Sequence, residues 1–177
     1  MADRIRFSLN DQPVELSGVS PMTTLLDWLR EQRGLKGTKE GCAEGDCGAC
    51  TVVIAEADGG ALRCRAVNSC IQFVPTLDGK ALYTVESLKR GERLHPVQLA
   101  MADGHGSQCG FCTPGFVMSL FALYKTRPAP GRGEIEDALA GNLCRCTGYR
   151  PIVDAATNMY AIGNALPETD LDRKSVV

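Results

Sequence analysis

Cysteine is the residue type that most constrains what this chain can fold into. Nine cysteines occur among 177 residues, and the opening sequence, MADRIRFSLN, lacks the basic and then apolar layout of a secretory signal. An odd number of cysteines in a chain without an export signal argues against a framework of disulfides. In a reducing compartment, thiols at this density usually bind metal. The sequence therefore predicts a cytoplasmic metal-binding protein.

The first cysteine set follows a spacing that is specific to one kind of metal centre. Cys42, Cys47 and Cys50 form a C-x4-C-x2-C run, and nineteen residues separate Cys50 from Cys70. This is the spacing of plant-type 2Fe–2S ferredoxins. A 2Fe–2S cluster held by four thiolates is an anion, so it needs backbone N–H donors near its sulfurs and little side-chain bulk. The loop meets that need with glycines, which accept dihedrals that other residues resist, at Gly41, Gly45 and Gly48.

The second cysteine set consists of two short pairs. Cys109-x2-Cys112 and Cys144-x-Cys146 are separated by 31 residues, and each pair lies at a junction between a loop and a predicted helix. Two such pairs can converge on one metal centre between helices. A tetrahedral zinc site also uses four cysteines in two pairs, so zinc remains an alternative, more for this set than for the first.

The remaining candidates are predicted to have structural roles. Cys64 lies in a predicted strand, where a buried, unreactive thiol is expected. His95 and His105 are the only histidines; because both cysteine sets are complete without them, they are predicted to be loop or capping residues. No side chain is predicted to be catalytic.

The pattern up to about residue 85 predicts a small α+β domain. Alternating apolar residues from 5 to 16 with a turn at Asn10-Asp11 predict a hairpin. A helix beginning near Thr23 or Thr24 and ending at Gly34 follows, with Leu25, Leu26 and Leu29 on one face. Further strands are predicted over 51–55, 62–67 and 81–85.

After about residue 90 the pattern becomes helical. Helices are predicted from Pro96 to Met101, after a cap and proline at Thr113-Pro114, from Glu134 to Leu139, and from Pro151 onward. Four short helices with short connections indicate a small bundle. Residues 167–177 are polar and are predicted to be a tail or linker.

The charge balance excludes several classes of partner. Nineteen basic and 21 acidic residues give a formal charge of −2, which offers no support for binding nucleic acid or an anionic membrane. The longest strongly apolar stretch, about 116–124, is too short to cross a bilayer. The sequence predicts a soluble protein.

The sequence resembles a known protein family. The blocks KEGCAEGDCGACTVVI, NSC, HGSQCGFCTPGF and GNLCRCTGYRPI are similar to those of the iron–sulfur subunits or domains of molybdenum hydroxylases. That family includes xanthine dehydrogenases, aldehyde oxidoreductases and carbon monoxide dehydrogenases. The likeness covers about residues 3–160, with the blocks in the same order as in the family. The segment LHPVQ…HGSQCGFCTPG is most similar to xanthine dehydrogenases.

The resemblance implies an architecture and a set of site residues. It implies a β-grasp ferredoxin-like domain over 1–86, followed by a four-helix bundle domain over 87–166. Each domain is expected to hold one 2Fe–2S cluster. The resemblance also implies that Gln108 contacts molybdopterin. The implied cluster ligands are Cys42, Cys47, Cys50 and Cys70 in the first domain, and Cys109, Cys112, Cys144 and Cys146 in the second.

The function implied is that of an electron-transfer component of an oxidoreductase. Electrons are expected to pass one at a time from molybdopterin on a large partner subunit to FAD on another subunit or domain, within a symmetric complex. Hydroxylation of xanthine or hypoxanthine is the reaction expected of the whole complex. The alternatives are the small subunit of an aldehyde- or carbon monoxide-oxidising homologue, a free-standing ferredoxin shuttle, and a zinc-stabilised structural module.

Overall fold

The first half of the chain folds into a five-stranded mixed sheet. The computed structural model describes residues 4–165, except for the side chain of Ala61, so the predicted tail over 167–177 lies outside the described residues. The α+β class is confirmed. The strands are β1 (Arg4–Leu9), β2 (Gln12–Ser17), β3 (Thr51–Asp58), β4 (Ala61–Asn68) and β5 (Ala81–Tyr83).

The strand order in the sheet is β2-β1-β5-β3-β4. β1 runs parallel to β5, whereas the other neighbouring strands are antiparallel. Asn10 and Asp11 form the tight turn between β1 and β2, with φ values of 52° and 65°. These left-handed values are typical of a two-residue hairpin turn, and the predicted hairpin is confirmed.

The helix predicted from near Thr23 or Thr24 to Gly34 is present but irregular. Thr24 caps it by accepting a hydrogen bond from the Asp27 N–H, and α1 (Leu25–Asp27) then widens into a π turn over Trp28–Gln32. A regular helix up to Gly34 is therefore wrong, since the wider turn replaces its second half.

β3 separates two cores because its side chains alternate between the two faces of the sheet. Val52 and Ile54 pack with α1 and the β1–β2 hairpin. Val53 and Ala55 point the other way and join a core built mainly from helices. All four side chains are buried, so the same strand anchors both halves of the chain.

The second half of the described chain forms four helices, as predicted. α3 begins at Thr113 with Cys112 as its N-cap, so the prediction that Thr113 is the cap is wrong by one residue. The strand predicted to reach Val85 ends at Tyr83, and a 3-10 turn over Val85–Leu88 follows. The helices are α2 (Pro96–Asp103), α3 (Thr113–Thr126), α4 (Arg132–Leu139) and α5 (Arg150–Ala165).

α3 is the central helix of this second half. It contacts α2, α4 and α5 and also lies across β3 and β4. Its large side chains Phe116, Leu120 and Phe121 are fully buried. Among the described residues, no helix combines the length and the hydropathy needed to cross a membrane.

Candidate metal centres

Residues 41–50 form a loop that turns backbone N–H groups toward the Cys42 sulfur. The N–H groups of Asp46 and Cys47 each donate to Cys42 Sγ at 3.3 Å, and the Cys42 N–H donates to Cys47 Sγ at 3.4 Å. The loop can follow this path because Gly45 adopts a φ of +86°, a left-handed value that favours glycine. Convergent backbone donors of this kind bind anions.

These donors change the acidity of Cys42. The N–H of Glu44 contributes most, followed by those of Asp46 and Cys47, and together they lower the pKa of the Cys42 thiol to about 7. The thiolate, not the thiol, binds metal. Backbone N–H groups of the loop therefore make the Cys42 thiol easier to ionise, with a smaller contribution from the Cys47 side chain.

Cys50 and Cys70 form the buried end of the first set. Cys50 immediately precedes β3, Cys70 closely follows β4, and both pack beside Leu26. Burial, and next a hydrogen bond with Cys50, raise the pKa of Cys70 to about 12. The Cys70 thiol therefore keeps its proton at neutral pH, and a metal ion would have to displace that proton on binding.

The second set lies where two helix connections meet. Cys109 and Cys112 lie between α2 and α3, and Cys144 and Cys146 lie between α4 and α5. The sulfurs pair across the connections: Cys109 Sγ lies 3.6 Å from Cys146 Sγ, and Cys112 hydrogen-bonds to Cys144. Each pair therefore joins one connection to the other.

The acidity of the thiols differs within each of these pairs. The Phe111 N–H, and next the hydrogen bond with Cys146, lower the pKa of Cys109. Burial, and next the hydrogen bond with Cys144, raise the pKa of Cys112 to about 12. In each pair the pKa of one thiol is lowered, at Cys109 and at Cys144, and the pKa of its partner is raised, at Cys146 and at Cys112.

A turn after Cys144 supplies additional donors. Burial acts most strongly on the Cys144 thiol and raises its pKa, but the Thr147 hydroxyl and backbone N–H groups outweigh it, so the pKa is lowered. The Thr147 Oγ1 lies 3.1 Å from Cys144 Sγ. The Cys144 N–H donates to the Tyr149 hydroxyl at 2.9 Å.

Both sets have an arrangement that fits a two-iron centre. The sulfurs occur in pairs: Cys42 with Cys47, Cys50 with Cys70, Cys109 with Cys146, and Cys112 with Cys144. Neighbouring pairs suit a 2Fe–2S cluster, in which each iron takes two of the four thiolates. A tetrahedral zinc site needs four sulfurs around one ion.

A buried asparagine connects the two cysteine sets. Asn142 donates from Nδ2 to the Gly48 carbonyl at 3.0 Å and to Thr51 Oγ1 at 3.2 Å, and its Oδ1 accepts from Ser119 Oγ at 2.6 Å. Next to it, the Leu143 N–H donates to the Cys47 carbonyl at 3.0 Å. The backbone next to the second cysteine set is therefore hydrogen-bonded directly to the backbone next to the first.

The residues of this junction were not identified from the sequence as functional. The sequence pattern predicts no functional role for Asn142, Thr147 or Tyr149. The one available signal was their position within GNLCRCTGY, immediately around a cysteine pair. Sequence spacing does not reveal that a side chain folds back onto a sulfur.

The ninth cysteine and the two histidines take the structural positions predicted for them. Cys64 is buried in β4, and this burial raises the pKa of its thiol, with the nearby charge of Lys125 opposing the effect. His95 caps α2, its Nδ1 accepting from the Val97 N–H at 3.2 Å. His105 lies in the loop after α2 with a φ of +52°. Gln108 is exposed immediately before Cys109.

Two family models match consecutive parts of the chain. Residues 7–73 match the 2Fe-2S iron-sulfur cluster binding domain, and residues 84–157 match the 2Fe-2S binding domain. The first match contains all four cysteines of the first set, and the second match contains all four of the second set. Each set therefore lies inside its own cluster-binding domain.

Curated relatives are much longer than this chain. The xanthine dehydrogenase of Emericella nidulans is 51 % identical over 156 residues, which is 87 % of this chain and 11 % of the relative. The xanthine dehydrogenase/oxidase of Rattus norvegicus is 49 % identical over 156 residues, 86 % of this chain and 12 % of the relative. The chain thus spans about a tenth of the length of these relatives.

Solved structures share both the sequence and the fold. The quinoline 2-oxidoreductase of Pseudomonas putida 86 includes a chain that is 39 % identical with a TM-score of 0.79, and the match covers 92 % of this chain and 94 % of that one. The aldehyde oxidoreductase of Desulfovibrio gigas is also 39 % identical, with a TM-score of 0.82, and the match covers 97 % of this chain and 18 % of that one.

Proposed function

The chain belongs to the iron–sulfur components of the molybdenum hydroxylase family, and on that basis we propose that it carries electrons one at a time from molybdopterin to FAD. When bound, a 2Fe–2S cluster accepts and releases single electrons. The observation that carries the proposal is the pairing of sulfurs in two sets, each within its own cluster-binding domain.

The proposed ligand assignment follows the two sets. The loop backbone positions the sulfurs of the first set, and two helix connections position those of the second. We assign one cluster to the first domain, over 1–86, and one to the second, over 87–166. The ligands are Cys42, Cys47, Cys50 and Cys70 for the first cluster, and Cys109, Cys112, Cys144 and Cys146 for the second.

The proposed architecture is a β-grasp ferredoxin-like domain followed by a four-helix bundle domain. The parallel pairing of β1 with β5, and α1 packed on one face of the sheet, support the first assignment. The four helices that surround the second cysteine set support the other. The junction at Asn142 holds the two domains together.

The proposed partners are a large molybdopterin-binding subunit and an FAD-binding subunit or domain, in a symmetric complex. Cys109, Cys146 and Gln108 are exposed together, so the second set faces outward, where the Gln108 amide is available to a pterin. Exposed apolar side chains flank both sets: Ile71 is 57 % exposed, Phe111 50 % and Leu143 54 %. A partner subunit covers side chains of this kind.

The proposed reaction of the whole complex is the hydroxylation of xanthine or hypoxanthine. This substrate rests on the names of curated relatives, which are xanthine dehydrogenases at 48–51 % identity. An aldehyde-oxidising complex is the second candidate, favoured by the likeness to the aldehyde oxidoreductase structures. In either case this chain supplies the electron path and not the substrate site.

Substrate-driven reduction tests this proposal. The chain is purified without oxygen together with its associated subunits, and xanthine or an aldehyde is added in separate samples. We expect xanthine to generate the EPR signals of two reduced 2Fe–2S clusters. In Cys146→Ala, the signal of the first cluster should no longer appear with xanthine but should return with dithionite. Reduction by the aldehyde alone would support the second candidate, and no reduction by either would contradict electron transfer from a molybdenum partner.

A further inference from the structure

Three hydrogen bonds link Cys144, Thr147 and Tyr149 in a closed ring. The Cys144 N–H donates to the Tyr149 hydroxyl at 2.9 Å, and the Tyr149 N–H donates to Thr147 Oγ1 at 3.2 Å. Thr147 Oγ1 lies 3.1 Å from Cys144 Sγ, and this third hydrogen bond closes the ring. The turn after Cys144 therefore places two side-chain hydroxyl groups, those of Thr147 and Tyr149, next to this cysteine.

The direction of the bond at the sulfur follows from the donors available. A hydroxyl has one hydrogen and two lone pairs, and the Tyr149 N–H occupies one lone pair of Thr147 Oγ1. A metal-bound thiolate has no hydrogen and only accepts. The Thr147 hydroxyl must therefore donate to Cys144 Sγ when this sulfur is a ligand.

The backbone of the turn is shaped to make this contact. Tyr149 has a φ of +68°, a left-handed value that is unfavourable for a residue with a side chain. Its ring packs edge-to-face against the buried Phe116, with ring centroids 6.0 Å apart. Strain of this kind persists only where surrounding contacts impose it, and it is frequent at functional sites.

We propose that Thr147 raises the reduction potential of the cluster held by the second cysteine set. The inference rests on the proposed function, because it requires Cys144 to be a ligand. Reduction adds one electron, and so one negative charge, to an already anionic centre. A hydroxyl that donates to a ligand sulfur stabilises the reduced form more than the oxidised form, which makes the centre easier to reduce.

The first cysteine set provides an internal reference. The donors that reach Cys42 Sγ are mainly backbone N–H groups, those of Glu44, Asp46 and Cys47, which side-chain substitutions do not remove. At Cys144 the backbone N–H groups of Cys146 and Thr147 also donate, but the Thr147 hydroxyl is a side-chain donor that a substitution removes. A substitution at Thr147 should therefore change the potential of one cluster and leave the other unchanged in the same molecule.

The test is an EPR-monitored redox titration of the chain with its associated subunits. Wild type is compared with Thr147→Ser, which keeps the hydroxyl, and with Thr147→Val and Thr147→Ala, which remove it. The signal altered in Cys146→Ala identifies the second cluster. We expect Val and Ala to lower its reduction equilibrium constant about tenfold, equivalent to about 59 mV for one electron. Ser should remain within about twofold of wild type.

The outcomes separate this inference from the proposed function. Two clusters in wild type with no shift in Val and Ala would overturn the role of Thr147 and leave the proposed function standing. Equal shifts in Ser, Val and Ala, or equal shifts in both clusters, would also overturn it, because the hydroxyl would not be the cause. Loss of the second cluster in Val and Ala, with its retention in Ser, would assign the hydroxyl a purely structural role and contradict the inference. The absence of a second cluster from wild type would contradict the proposed function itself.

Discussion

The two cysteine sets reach similar arrangements of sulfurs by different means. Three cysteines of the first set belong to one continuous loop, whose backbone N–H groups point at Cys42. The second set instead brings together the α2–α3 and α4–α5 connections, and its sulfur pairs form across them. Three of the four cysteines of the first set are local in sequence, and the β3–β4 pair brings Cys70 to them, whereas the second set exists only when the helices are packed.

This difference indicates which kinds of substitution should damage each site. The first site depends on backbone dihedrals over 41–50, so a small change there acts directly on the sulfurs. The second site depends on α3 and its neighbours, so a change in the helical core acts on it from a distance. Asn142 and the Leu143–Cys47 hydrogen bond connect the two sites, so neither is fully independent.

The largest effect that distinguishes the sites is expected from Phe116→Ala. Phe116 is fully buried in α3, and its ring contacts that of Tyr149. Truncation should cost about 3–5 kcal/mol of folding free energy. The second cluster should therefore be lost at a lower urea concentration than the first, as measured by their EPR amplitudes.

The matched control for Phe116→Ala is Leu25→Ala, which truncates a fully buried side chain in the opposite core. It should weaken the first cluster more than the second, with a cost of about 2–5 kcal/mol. If both variants lost both clusters together in urea, the two sites would not differ in the way described.

Gly48→Ala should have the next largest effect and should damage both sites. Gly48 has a φ of +69°, and a Cβ there would lie 2.3 Å from the Gly141 carbonyl oxygen, which is rigid backbone. The strain and the overlap together should cost about 3 kcal/mol. Iron content and thermal unfolding of the variant would measure this loss.

Gly45→Ala is the control for that prediction. Its φ of +86° is also left-handed, but the added Cβ would meet the end of the Ile71 side chain, which can move. A smaller loss, confined to the first cluster, is expected. Equal damage from both substitutions would indicate that the dihedral angle, and not the contact between sites, determines the outcome at Gly48.

Asn142→Ala should produce an intermediate effect on the connection between the sites. It removes the two bonds that Nδ2 makes to Gly48 and Thr51, and leaves buried polar groups without that partner. A loss of about 1–3 kcal/mol is expected, together with a weaker magnetic interaction between the two reduced clusters in low-temperature EPR.

Ser119→Ala is the control for Asn142→Ala, because it removes a single bond to Asn142 Oδ1 and keeps both bonds to the first site. It should lower stability without changing the magnetic interaction. An unchanged interaction in Asn142→Ala would show that Asn142 does not set the spacing of the two sites.

Cys64→Ser should have the smallest effect. Cys64 is buried in β4 and its pKa is raised by that burial, so it should resist alkylation in the native protein. The serine variant should retain both clusters with a stability loss of about 1 kcal/mol. Loss of either cluster signal would mean that the ligand assignment of the first set is wrong.

Much of the fold could be predicted because its signals are local. The hairpin, the strands and the four helices follow from alternation, turn residues and helix caps, each contained within a short segment. The π turn over Trp28–Gln32 and the start of α3 at Thr113 could not be predicted. Trp28 packs against Phe7, and Cys112 hydrogen-bonds to Cys144, so both residues make contacts with parts of the chain distant in the sequence.

The candidate sites were predictable in their members but not in their geometry. Cysteine spacing identifies both sets, because a loop or a helix end determines which sulfurs are near each other. Spacing does not reveal that Cys109 pairs with Cys146 and Cys112 with Cys144, since that depends on the packing of four helices. For the same reason the bonds made by Asn142 and Thr147 are visible only in the folded chain.

The most direct test of the central claim, that both cysteine sets hold 2Fe–2S clusters, is a count of iron, acid-labile sulfide and zinc per chain. The protein is purified without oxygen, and its visible absorption spectrum is recorded on the same sample. Two clusters predict about four irons and four sulfides per chain and a coloured protein. About two zinc ions per chain, no sulfide and a colourless sample would contradict the claim and favour a zinc-stabilised structural module.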